Sequence, residues 1–166
     1  MSINQELVNE LETEAVSSRK MLAEIPADQW DWKPHEKSMS LGQLSTLVAM
    51  MFDWFAMMGT TDELDFLKGD GEYPKAKNAD DLLKILDDGL ARSKSVLEKM
   101  SDQDLERSWK LRSGETIHQE MSRYLTFRQT FSHLAHHRGQ LSVYLRLKDL
   151  TVPAIYGPTA DDRSFG

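Results

Sequence analysis

Hydrophobic residues recur every three or four positions over most of the chain, which is the spacing of one buried helix face. Four such stretches predict helices near residues 4–24, 40–58, 79–100 and 116–149. The second stretch is apolar on almost every side, so we expect it at the centre of the core. The residues predicted to lie inside are Leu44, Leu47, Met51, Phe55, Leu86, Leu90, Leu134 and Leu141.

Capping residues support these boundaries. Ser40 followed three residues later by Gln43 fits a capping box at the start of the second helix. The strand pattern is weak throughout, although residues 111–115 fit either a short hairpin or a loop. Four helices with long second and third connections therefore predict an all-α four-helix bundle. A sheet of three or more strands would contradict this prediction.

Composition limits the size and the partners of the protein. A chain of 166 residues that is 40% hydrophobic predicts one domain, residues 1–166. Its 27 acidic and 20 basic residues give a net charge of −7, which opposes nucleic acid as a partner and favours a small-molecule ligand. The chain has no cysteine, so thiol chemistry would need an external low-molecular-weight thiol.

Two features predict a cytoplasmic protein without a membrane span. The N-terminal run MSINQELVNELE carries acids where a signal peptide needs a basic and then an apolar segment. The most apolar run, LVAMMFDWFAMM, has 12 residues and includes Asp53. A membrane span needs about 20 apolar residues, so this run predicts a buried helix.

Three histidines within five residues are the main candidate for chemistry. His133 and His137 stand one helical turn apart, a spacing that lets two imidazoles reach one metal ion. His136, Gln140 and Tyr144 lie on the same polar side of the predicted helix. The spacing is a weak motif, because the same pattern also forms an ordinary polar stripe on a helix surface. The sequence has no GxSxG, P-loop or HExxH motif that would compete.

Three segments, WKPHEKSMSLGQL, HLAHHRGQLSVYLRL and PAIYGPTADD, together resemble the DinB/YfiT-like superfamily of bacterial four-helix proteins over residues 21–162. The resemblance implies an up-down-down-up bundle, a homodimer and, in many members, a divalent metal such as zinc or nickel held by three histidines. His133 and His137 match two of those ligands. Characterised relatives include thiol-dependent transferases and metal-dependent hydrolase-like proteins.

The chain departs from that pattern at Leu47, which occupies the place of the expected histidine on the second helix. Leucine cannot coordinate a cation. Nearby donors are Asp53, turned away by its spacing, and Met50 or Met51, whose thioethers prefer soft ions. The residues predicted to line a pocket beside the metal pair are Leu47, Met51, His136, Gln140 and Tyr144.

Two functions remain open on this sequence. In the first, the chain is a metal-dependent transferase or hydrolase with an incomplete metal site, and Tyr144 or Gln140 orients the substrate. In the second, it is a homodimeric binding module that binds metal weakly or not at all and has lost catalysis. Leu47 favours the second function, and the retained histidine pair favours the first.

Other polar and aromatic residues have structural interpretations. Trp30 and Trp32 could line a ligand site, but they are more typical of a plug at the open end of a bundle. Arg138 is predicted to pair with Asp161 or Asp162 and fasten the C-terminal tail. His35 is expected to pin its loop and His118 to lie on the surface, so neither is predicted to be a ligand.

Overall fold

The computed structural model describes residues 2–69 and 73–164, and this part of the chain forms five α-helices and a small three-stranded sheet. The helices are α1 (Ile3–Ala23), α2 (Leu41–Thr60), α3 (Ala79–Leu97), α4 (Asp102–Glu106) and α5 (Arg123–Leu147). The strands are β1 (Glu63–Asp65), β2 (Ser108–Ser113) and β3 (Thr116–Ser122). A single 3₁₀ turn at Ala27–Gln29 follows α1.

The first three predicted helices are confirmed to within a few residues. The capping box at the start of α2 is also confirmed, since the Gln43 amide donates to Ser40 Oγ and the Ser40 amide donates to Gln43 Oε1. Of the predicted core residues, Leu47 and Leu90 are only half-buried at the edge of the core. The other six are buried: Leu44, Met51, Phe55, Leu86, Leu134 and Leu141.

The purely all-α prediction is wrong, because residues 108–122 form a β-hairpin that joins β1 in one sheet. β2 pairs antiparallel with β3 and parallel with β1. The hairpin turns at Gly114, whose φ of +56° is a conformation that glycine adopts without strain. Buried Trp109 lies opposite Met121 and anchors the hairpin on the helices. The up-down-down-up helix order stays a prediction.

The fourth long helix consequently starts later than predicted. Residues 116–122 form strand β3, and the helix begins only at Arg123. Ser122 caps it, because the Leu125 amide donates to Ser122 Oγ at 3.3 Å. An apolar pattern of period three to four continues across this point, so the pattern alone placed the boundary seven residues too early.

α2 lies in the core, as its apolar sequence predicts. Within the described residues it is the one helix long and apolar enough to cross a membrane, but 56% of its most apolar window is buried inside the fold. The ring of Phe55 in α2 stacks on the ring of Phe127 in α5, and the ring centroids are 5.6 Å apart. Burial on this scale is typical of a central core helix.

The loop after the 3₁₀ turn covers the start of α2 and one side of α5. Trp32 and Trp30 accept, through their carbonyls, the hydrogen bonds of the Leu41 and Gly42 amides, which have no partner inside the helix. A Cβ on Gly42 would lie 2.2 Å from the Trp30 ring, so a glycine is required at this contact. Trp32 meets Tyr144 edge-on at 5.6 Å. These contacts favour the plug interpretation of the two tryptophans.

The prediction that Arg138 pairs with Asp161 or Asp162 is wrong. Arg138 is buried and binds Glu14 of α1 and the Tyr156 hydroxyl of the tail. Burial and the hydrogen bond to Glu14 raise the pKa of Tyr156 to about 12. The tail is still fastened to α5, because Asp161 pairs with Arg146 at 2.6 Å.

Candidate functional site

α5 brings the two predicted metal ligands together. Nε2 of His133 lies 2.8 Å from Nε2 of His137, and the ring centroids are 4.5 Å apart. Two imidazole nitrogens bound to one tetrahedral ion at ~2.1 Å would be about 3.4 Å apart. A small rotation of either ring would therefore let both nitrogens reach one ion.

Gln140 fixes the orientation of the buried ring. Its Oε1 lies 2.9 Å from Nδ1 of His137. An amide oxygen only accepts, so Nδ1 carries the proton and Nε2 of His137 keeps its lone pair. In this arrangement Nε2–H of His133 donates to that lone pair, so binding of one ion by both Nε2 atoms also requires the proton of His133 to move to Nδ1. A metal ligand needs the same tautomer of His137, with the second nitrogen held by an acceptor.

The surroundings favour the neutral form of both imidazoles. Partial loss of hydration lowers the pKa of His133 and of His137 below the usual 6.5. The charge of His137 lowers the pKa of His133 further, and the charge of neighbouring His136 lowers both. The hydrogen bond that His137 donates to Gln140 acts in the opposite direction and raises the pKa of His137. Neutral imidazole is the form that binds a metal ion. The two histidines differ in access, because His137 is 7% exposed while His133 faces solvent.

Side chains of α2 form the surface next to the histidine pair. The half-buried ring of Trp54 lies 5.7 Å from the ring of His133. α2 and α5 run antiparallel, as the Trp54 contact and the hydrogen bond from Tyr144 Oη to Met39 O indicate. Leu47 precedes Trp54 by seven residues and Gln140 follows His133 by seven, so Leu47 and Gln140 lie at about the same level.

No third ligand completes a metal site within residues 2–69 and 73–164, where no three His, Cys, Asp or Glu side chains converge. Asp53, the nearest predicted carboxylate, pairs with Arg92 of α3 at 2.7 Å. Met51 is fully buried in the core, and Met50 is half-buried. The residues present fit two ligands of a divalent ion and do not fit a three-histidine site.

The sequence matches the DinB family over residues 1–163. The chain belongs to the DinB family. Among curated proteins, none matches it significantly.

Solved structures agree with this family at the level of the fold. A DinB-like protein from Bacillus subtilis is 20% identical, with a TM-score of 0.71 over 95% of this chain and 99% of that one. A DinB-like protein from Bacillus cereus is 20% identical, with a TM-score of 0.70 over 92% and 97%. A family member from Exiguobacterium sibiricum is 19% identical, with a TM-score of 0.62 over 90% and 94%.

The other residues predicted near the pair have different surroundings in this DinB chain. His136 is exposed, with its ring 5.1 Å from that of His137. Tyr144 donates to the Met39 carbonyl and packs on Trp32, so it contacts the aromatic loop. His35 accepts from the Lys37 amide within its own loop, and His118 lies exposed on β3.

Two open clefts of the described residues lie away from the histidines. The larger one, of about 410 Å³, opens between the ends of α2 and α3 and the start of α5. Sequence reasoning missed its residues, Arg123 above all. The position of Arg123 could have indicated its role. A positive charge in the first turn of a helix is disfavoured by the helix dipole, so an arginine there indicates a stabilising contact elsewhere in the fold.

Proposed function

We propose that this DinB protein is a binding module with a weak two-histidine site for a divalent cation such as zinc or nickel. The observation that supports the proposal is the 2.8 Å distance between the Nε2 atoms of His133 and His137. Gln140 accepts a hydrogen bond from Nδ1 of His137 and so holds this ring in place. The positions that the histidines leave open would be taken by water or by a small-molecule ligand.

Weak binding follows from the number of donors. Each ligand bond made by water in place of a protein group removes part of the affinity of a three-histidine site. The half-buried side chains of Leu47 and Trp54 give the neighbouring α2 surface an apolar character. Such a surface favours a ligand with an apolar part next to its metal-binding group.

Calorimetric titration of the untagged protein with zinc tests the proposal. We expect one ion per chain with a dissociation constant of about 1 μM or weaker. His133→Ala should abolish binding. His136→Ala is the matched control, since His136 is an exposed histidine of the same helix turn but lies outside the pair, and it should keep the parent affinity. Equal loss in both variants would reject the pair as the site.

A second candidate is a metal-dependent transferase or hydrolase that uses an external low-molecular-weight thiol. The exposure of His133 favours it, because coordination positions on that side would be open to a substrate. A bound divalent ion would supply Lewis acidity and lower the pKa of a bound thiol or water. Thiol consumption that depends on zinc and disappears in His133→Ala, but persists in His136→Ala, would support this candidate over the binding module.

We also propose that the protein forms a homodimer through helix faces. α2 keeps half-buried apolar side chains at Leu47, Trp54 and Met57, and α5 exposes Val143 and Leu147 at 56% and 58%. Covering such surfaces is a common driving force of self-association. Light scattering at micromolar concentration should give twice the chain mass of 19.0 kDa. The mass of a single chain would contradict the dimer.

A further inference from the structure

The larger cleft has a positive lining, although the whole chain carries a net charge of −7. Its cationic side chains are Lys99 after α3, Arg107 after α4 and Arg123 at the start of α5. One carboxylate, Asp104, lies among them. Oδ2 of Asp104 already accepts from the amide and hydroxyl of Ser101 at the start of α4, so it is engaged in capping.

The two arginines converge on one acceptor. Nη2 of Arg123 and Nη2 of Arg107 both donate to Oδ1 of Asp62, at 2.7 and 3.3 Å. The side chain of Asp62 is 70% exposed, so its carboxylate is held mainly by these two guanidinium groups. Two guanidinium groups around one oxygen form the arrangement with which proteins bind phosphate and carboxylate groups.

Arg123 is fixed in place before any ligand binds. Its side chain is 4% exposed, and Nε and Nη2 donate to the carbonyls of Met58 and Thr61 at the end of α2. These bonds offset the negative end of the α2 dipole, which would otherwise repel an anion from the cleft. Rigid donors lose little entropy on binding, so they favour affinity.

Lys99 is the third cationic side chain of the cleft lining. Its Nζ donates to Ser95 Oγ at 3.1 Å, which is a neutral partner. Val96 and Met100, also in the lining, give the cleft an apolar side. A volume of about 410 Å³ lies within the usual range for small-molecule sites and exceeds that of a bare inorganic ion.

We propose that this cleft binds a small phosphorylated molecule, with its phosphate held by Arg107, Arg123 and Lys99. The organic part lies against Val96 and Met100. The phosphate competes for the guanidinium groups of Arg107 and Arg123 with the Asp62 carboxylate, which lies beside the cleft lining. Asp62 is thus an internal competitor, and its high exposure makes its displacement inexpensive.

Calorimetric titration with inorganic pyrophosphate at low ionic strength tests the proposal. The double variant Lys99→Gln/Arg107→Gln should bind at least about tenfold more weakly than the parent. The control Lys84→Gln/Arg92→Gln removes the same two charges from exposed ion pairs outside the cleft and should change affinity less than about twofold. Arg92 is a matched control for Arg107. Their side chains are 58% and 57% exposed, and each arginine pairs with an aspartate.

Asp62→Asn provides a second measurement with the opposite sign. Removing the competing carboxylate should tighten pyrophosphate binding by about threefold or more. Asp53→Asn, which frees Arg92 in the same way, should leave affinity unchanged. No binding by the parent, or equal losses in the two double variants, would overturn the proposal. Weaker binding by Asp62→Asn would also overturn it, since Asp62 would then be part of the site.

Discussion

Two regions of α5, its N-terminal end and its middle, carry charged or titratable groups in opposite circumstances. At the N-terminal end, Arg123 is buried and bonded to residues more than 60 positions away in sequence. In the middle of the helix, His133 and His137 interact with each other and with Gln140 of the same helix. The first group joins separate parts of the fold, while the second is local and partly open to solvent. We therefore expect the first group to make the larger contribution to stability and the second to determine metal binding.

The largest expected effect is on the Arg123 end. Arg123→Met keeps the length of the side chain but leaves the carbonyls of Met58 and Thr61 without their donor. We expect the free energy of unfolding to fall by about 3–5 kcal/mol, measured by urea denaturation. Arg107→Met, which removes an exposed partner of the same Asp62, should cost below about 1 kcal/mol. Equal losses would remove the distinction between buried and exposed arginines.

Leu47→His tests whether the histidine pair in the middle of α5 is an incomplete metal site. If the pair is an incomplete metal site, a histidine at the half-buried position 47 should tighten zinc or nickel binding at least about tenfold, or about 1.4 kcal/mol. The reason is that a protein donor replaces water. Calorimetry on the parent and the variant gives the ratio. Unchanged affinity would mean that position 47 cannot reach the ion.

The pH dependence of stability should show a smaller effect. The pKa of His137 and that of His133 are lowered in the folded chain, chiefly by burial, so the unfolded chain binds protons more readily. Stability is therefore lost as the pH falls below about 6.5. We expect the parent to lose more stability between pH 7 and pH 5 than His133→Gln/His137→Gln, measured by urea denaturation at each pH. Parallel curves for the two proteins would contradict the lowered pKa values.

The smallest expected effect is on the stability of the histidine region itself. His133 is exposed, so His133→Ala should change the free energy of unfolding by at most about 0.5 kcal/mol in the absence of metal. Thermal denaturation in the presence of a chelator measures this. A loss comparable to that of Arg123→Met would show that the pair is a structural element.

The sequence predicted what depends on short-range periodicity. The bounds of α1, α2 and α3, the capping box of Ser40 and the meeting of His133 with His137 all arise within one helix, where spacing alone determines neighbours. The family was also predictable, since its characteristic segments are themselves short.

The sequence did not predict features that depend on long-range pairing. Strand β3 was included in the fourth helix, because its partner β2 and the contact of Trp109 with the core decide its conformation. Arg138 was assigned to a carboxylate nearby in sequence, while Glu14 reaches it from α1. The cleft around Arg123 combines four separate segments, and no local pattern marks such a combination.

The histidine pair is expected to supply two, and only two, protein ligands to a divalent ion. X-ray absorption spectroscopy of the zinc-loaded, untagged protein counts the coordinated imidazoles directly. We expect two imidazole nitrogens from His133 and His137, with oxygen ligands filling the remaining positions at ~2.0–2.2 Å. Three or more imidazoles, or a spectrum unchanged in His133→Ala/His137→Ala, would contradict the claim.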